Sequence, residues 1–359
     1  MTLILGVLAF WLSAGRQAER ETAQTQRLFP DLQAQLNQLT KVRVSDSATD
    51  ESVTLVKKDD RWEVQERAGY TANIPDLRLK LLTLAQSELT EKKTANSENH
   101  SRLGVETPDA DDAQSALLEL FEGENKTELI IGKRKQGGQA GTYVRKPEDQ
   151  QSWLASGDLK WDADPKSWLI KNVINIEDDR LSRVVITHAD NERVEVFKTD
   201  PAQDNFLLAD LPESRELLSP TSADTLATVL SNMTLDDVSA DADFSGGTPM
   251  LEAVYESFDG LRITIQAWEL DNQYYLRLDP KFDAALVRQP VATTSTDSET
   301  SKPASSDLPS AEAVQKEIDE IKGIVDHWVF QIPSYKFNNL NKRIEDLLKP
   351  EAEATQSGS

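Results

Sequence analysis

The stretch Ser52-Val53-Thr54-Leu55-Val56-Lys57-Lys58-Asp59-Asp60-Arg61-Trp62-Glu63-Val64 alternates apolar and polar side chains on either side of a charged turn. A period of two sets Val53 and Leu55 on one face, the pattern of a half-buried strand, and Trp62 and Val64 return antiparallel to it. Upstream, Val42 and Val44 mark a further short strand. Downstream, the Leu-rich run from about Pro75 to Leu89 reads as a helix covering the apolar face.

The same order returns later in the chain. Val184 to Ile186 is followed by Val194-Glu195-Val196-Phe197-Lys198, an Asp-rich turn, Phe206-Leu207-Leu208 and a helix from about Ser222 to Met233. A second block also recurs. Leu117 to Phe121, the turn Glu122-Gly123-Glu124-Asn125 and Glu128 to Ile131 form one hairpin, and Val254 to Glu256, Phe258-Asp259-Gly260 and Arg262 to Ile265 form another. Tyr143-Val144-Arg145 then matches Tyr275-Leu276-Arg277, and Trp-containing segments close each block, Trp161 to Ile174 and Trp328 to Leu348. A chain of 359 residues has room for about two domains. The expected fold class is α+β: an N-terminal membrane helix, then two tandem repeats of an antiparallel-sheet-plus-helix unit, residues 40–180 and 181–348.

Met1 to Gly15 carries no charged side chain. As a helix it extends about 22 Å, short of the ~30 Å hydrocarbon core, and no basic cluster precedes it. A membrane anchor over residues 1–16 is the expectation, with a cleaved signal peptide and a buried helix as the alternatives. Residues 17–39 then read as a helical stalk, with Leu28, Leu32, Leu36 and Leu39 at helical spacing and a break at Pro30. The Ser/Thr/Pro-rich run Arg288 to Ser310 reads as a disordered loop inside the second repeat, before a helix from Ala311 to Ile324. The tail 349–359 reads likewise.

The formal charge is −23, from 62 acidic and 39 basic residues, and little of it lies in that loop or tail. An acidic folded surface repels phosphate backbones, which argues against nucleic-acid binding. Absence of Cys excludes disulfides, thiol nucleophiles and Cys-based zinc sites. His100, His188 and His327 lie far apart in sequence and form no metal motif. No G-x-S-x-G elbow occurs. The glycines of Lys133-Arg134-Lys135-Gln136-Gly137-Gly138 precede a strand and lack Gly-Lys-Ser/Thr, so they make a basic hairpin turn and no phosphate loop. The acidic groups Asp236-Asp237 with Asp241 and Asp243, Asp109-Asp111-Asp112, and Asp162 with Asp164 lack the EF-hand spacing and serve better as caps and turns. Catalytic, cofactor-binding and metal residues: none is assigned, no cofactor is expected, and the chain is read as non-enzymatic. Trp62, Trp168 and Trp268 read as core, while Trp153 and Trp161, flanking a Gly-Asp turn, read as the more exposed pair.

Val53-Leu55-Lys57, Arg61-Trp62-Glu63-Val64, Leu129-Ile130-Ile131-Gly132, Tyr143-Val144-Arg145 and Trp328 together resemble an uncharacterised bacterial family of membrane-anchored proteins with a duplicated domain of unknown function. Members are typically encoded beside gliding-motility-type ABC transporter permeases and auxiliary subunits. The resemblance implies an extracytoplasmic accessory or scaffold subunit of an ABC-type export system, held at the bacterial inner membrane with its bulk on the periplasmic side. Its implied partners are the permease and auxiliary subunits. The alternative is an envelope glycan- or peptidoglycan-binding module using Trp153 or Trp161.

Overall fold

The computed structural model describes residues 26–138, 140–287 and 308–350. The chain divides into two compact units, Met1–Ile170 and Lys171–Ser359.

In the first unit, Val42, Val44, Val53, Leu55, Val64, Leu118 and Leu120 are all at most 2% exposed. Register explains why. Val42 stands opposite Leu55, Val44 opposite Val53, and Leu55 opposite Val64. On the other flank Val44 faces Leu118 and Val42 faces Leu120. One continuous apolar face results, each side chain contributing about 1.5–3 kcal/mol of burial. The sheet has ten antiparallel strands in the spatial order Gln26–Arg27, Glu88–Lys92, Ser152–Ala155, Gly141–Arg145, Asn125–Lys135, Ala116–Glu122, Lys41–Asp46, Glu51–Lys58, Arg61–Val64 and Tyr70–Thr71. Both edges are only two residues long.

The second unit holds an eight-stranded antiparallel sheet: Leu207–Leu208, Arg193–Phe197, Leu181–His188, Leu251–Ser257, Leu261–Leu270, Gln273–Phe282, Trp328–Ile332 and Asp237–Ala240. Taken from its other edge, it repeats eight strands of the first sheet in the same spatial order. Asp237–Ala240 stands where Glu88–Lys92 does, Trp328–Ile332 where Ser152–Ala155 does, and so on to Leu207–Leu208, which occupies the place of Arg61–Val64. Between Phe282 and Trp328 the second unit adds the helix Ala311–Val325, N-capped by Ser310 Oγ accepting from Ala313 N. Its stripe Val314, Ile318, Ile321 and Val325 is buried, and the helix packs on Gln273–Phe282.

These observations correct the α+β expectation: the described chain is mostly antiparallel sheet with few short helices, the longest having 15 residues. The expected helix at Ser222–Met233 is a single turn, Asp224–Ala227, tightening into a 3-10 turn at Thr228–Leu230. Thr225, Thr228 and Val229 are β-branched and resist helix continuation. The other repeat helix ends at Gln86, and Glu88–Lys92 is a strand. Of the expected stalk, the described part is also different. Gln26–Arg27 is a strand paired with Leu89 and Glu88, and only Leu32–Gln35 is α-helical. Leu28, Phe29, Leu32 and Leu39 are buried, so this segment belongs to the first unit's core. Residues 1–16, 288–307 and 351–359, with the membrane-helix, loop and tail expectations placed on them, lie outside the described residues. Among the described residues no helix is long and apolar enough to cross a membrane.

Candidate functional site

The helix Ile74–Gln86 is the most unusual surface element of the first unit. Asn73 begins it, its side chain accepting from Asp76 N, and Pro75 supplies the fixed φ favoured in a first turn. Leu77, Leu81, Leu84 and Ala85 turn inward. The helix has more leucines than one face accommodates. Leu79 is 63% exposed and Leu82 42% exposed, one turn apart on the outer side. They form an apolar ridge.

A cleft lies on each side of that ridge. One, of about 480 Å³, is lined by Leu36, Trp62, Leu77, Leu81 and Leu82 together with Lys57, Asp60 and Arg78. The other, of about 410 Å³, includes Leu79, Lys80, Asp158, Lys160, Asp162 and Trp168. In the second cleft the acids are engaged locally. Asp158 pairs with Arg134 at 3.1 Å, and Asp162 accepts from Ser167 Oγ at 2.8 Å. The arrangement suits binding of apolar segments; it assembles no nucleophile with a base.

Of the residues singled out from sequence, Trp62, Asp162 and Trp168 line these clefts, and the histidines fall elsewhere. His100 is buried with Nε2 2.9 Å from the Gln150 carbonyl, and His188 is buried with Nε2 3.2 Å from the Lys342 carbonyl. His327 is exposed at φ +72°. Among the described residues no group of three or more His, Asp or Glu is placed to hold a metal ion. Asp162 and Asp164 accept from the backbone of Asp164 and Lys166, the expected turn role, and Asp241 pairs with Arg277. The basic hairpin is less available than its sequence implies. Lys133 donates to the carbonyls of Ser101 and Arg102, Arg134 pairs with Asp158, and Lys135 pairs with Glu91. Trp161 corrects the expectation of exposure: it is 1% exposed and stacks on Trp168 at 5.4 Å. Trp153 is half-buried under Lys92.

Sequence reasoning missed two arginines, the buried Arg145 and the half-buried Arg180. Arg145, of the Tyr-Val-Arg triplet, donates to the carbonyls of Val105 at 2.8 Å and Asp149 at 3.0 Å, and more weakly to those of Lys146 and Pro147. Burial lowers its pKa from the usual guanidinium value, with Asp149 and Glu106 acting in the opposite sense. It is a bolt for a loop. Arg180 ties Asp259 and Glu317 across the second unit, all at 2.7 Å. No local pattern marks that triad, because its members are 79 and 137 residues apart. The leucine ridge did leave a signal, the surplus Leu79 and Leu82 in an otherwise one-sided pattern.

A family described as a domain of unknown function (DUF4340) matches residues 62–246. The chain belongs to this DUF4340 family. The matched region begins at Trp62, contains the whole ridge helix and runs past Ile170 into the second unit. Neither curated proteins nor solved structures give any match to the chain.

Proposed function

We propose that this DUF4340 protein is a non-enzymatic accessory or scaffold subunit of an ABC-type export system, with its two sheet units on the periplasmic side of the bacterial inner membrane. Its partners in this reading are the permease and auxiliary subunits. The observation that carries it is the Leu79–Leu82 ridge between two clefts, an apolar feature of a helix whose inward face is already satisfied. The sequence resemblance to proteins encoded beside such permeases supplies the kind of partner. A partner helix laid along the ridge buries both leucines and fills the groove on the Leu79 side.

The test is purification of the full chain from gently extracted membranes of its own host. The permease is expected to co-purify, and Leu79→Asp, an exposed change that leaves the core intact, is expected to release it. A clean, partnerless monomer overturns the proposal.

A further inference from the structure

The cleft of about 480 Å³ beside the ridge has a composition of its own. Its floor is apolar and buried: Trp62, Leu77 and Leu81. Leu36 and Leu82 extend that apolar surface toward solvent. Its charged lining is two cations, Lys57 and Arg78, against one acid, Asp60. On a chain of net charge −23, a site with a positive balance runs against the rest of the surface.

The state of those charges matters more than their count. Among the described residues the Arg78 guanidinium has no hydrogen-bond or ion-pair partner, although five N–H groups are available to it. Lys57 Nζ is held only by the neutral carbonyl of Asn37, at 3.4 Å, so its charge is not neutralised. Lys58, next to it in sequence, by contrast has its acid, Glu63. The volume lies within the roughly 300–1,000 Å³ of small-molecule sites.

We propose that this cleft binds a long-chain carboxylate, its acyl chain on Trp62, Leu77 and Leu81 and its head between Arg78 and Lys57. A guanidinium fork matches a carboxylate in two parallel N–H···O bonds. A monoanion fits the net single positive charge of the lining, whereas a dianionic phosphate meets Asp60 with greater repulsion. The inference goes beyond the transporter reading and does not rest on it: Arg78 and Lys57 line this cleft, and Leu79 lines the other.

Calorimetric titration of the purified full chain tests it, with sodium dodecanoate, dodecylamine and dodecyl maltoside each below its micellar concentration. Dodecanoate is expected to bind one site, with the amine and the neutral detergent at least about tenfold weaker. Arg78→Ala and Lys57→Ala, both at solvent-reaching positions, are each expected to weaken dodecanoate about tenfold, and Asp60→Asn to tighten it. No dodecanoate binding, equal binding of all three amphiphiles, or an Arg78→Ala variant that binds like the native chain overturns the proposal. So does Arg78-dependent binding of phosphatidylglycerol vesicles or of an acidic amphipathic peptide without dodecanoate binding, since either makes the cleft a docking surface for something larger.

Discussion

Replacing Arg180 with Met removes the cation from a carboxylate, Asp259, whose side chain is 0% exposed. In the native chain Arg180 Nε donates to Asp259 at 2.7 Å, while its two terminal nitrogens fork onto Glu317 at 2.7 Å each. Asp259 also accepts from Ser257 Oγ, which in turn accepts from Leu261 N. Burial draws the Arg180 pKa down, but Glu317 and Asp259 more than reverse this and hold it above the ordinary guanidinium value. Breaking one partner of a buried pair costs about 3–5 kcal/mol, because the other charge stays desolvated. The outer half of the network is wetter, with Glu317 31% exposed, so that arm contributes about 1 kcal/mol or less. The expected loss for Arg180→Met is therefore about 3 kcal/mol, and Glu317→Gln loses about 1 kcal/mol. Urea unfolding gives the magnitude. Hydrogen exchange gives the location, which should be the helix Ala311–Val325 and the hairpin Leu251–Leu270, since Arg180 joins these to the start of strand Leu181–His188. The double variant Arg180→Met/Asp259→Leu should recover part of the loss by removing the stranded charge. A loss below about 0.5 kcal/mol for Arg180→Met refutes the reasoning, as does a double variant less stable than the single one.

Three further outcomes are expected. Ala68 is exposed at φ +51°, so Ala68→Gly should raise stability by about 1 kcal/mol, read as an increased Tm; an unchanged or lower Tm contradicts the strain argument. Gly132→Ala places a Cβ about 2.4 Å from the Leu103 carbonyl oxygen, and should cost about 1–3 kcal/mol in urea unfolding; a neutral result means the Leu103 backbone yields freely. The hydrogen bond from Arg183, with Arg193 adding, lowers the pKa of Glu195 from 4.5 against a smaller opposing effect of burial. Its contribution is thus complete above pH 4.5 and is lost as pH falls through the lower folded value. The stability advantage of the native chain over Glu195→Gln should shrink from pH 5 to pH 3, and an advantage independent of pH in that window contradicts the assignment.

Much of the sheet was legible because period-two alternation at Val53-Leu55 and Val194-Val196 is a local property that register then amplifies. Helix content was less so. Leucine spacing at 28, 32, 36 and 39 mimics a helix, yet Gln26–Arg27 pairs with Glu88 and Leu89, a partner about 60 residues away that no local pattern reveals. Thr225, Thr228 and Val229 did carry a warning against a long second helix. At the site, the surplus leucines of Ile74–Gln86 were visible in the sequence. The cleft was not, because Leu36, Lys57 and Arg78 come from three elements that only folding gathers. Trp161 looked exposed because its neighbours are Gly157, Asp158 and Lys160. Its partner Trp168 lies one 3-10 turn further on, and the stack puts both rings inside.

The short edge strands bear on how the protein behaves when many copies are crowded together. Of the four edges of the two large sheets, three are strands of only two residues, and the fourth, Asp237–Ala240, begins with an acid. Neither sheet therefore offers a long template for strand-by-strand growth into filaments. Recruitment of other chains is channelled to side-chain surfaces, where specificity resides in shape and charge, and the protein can reach high local concentration without its β-rich body polymerising.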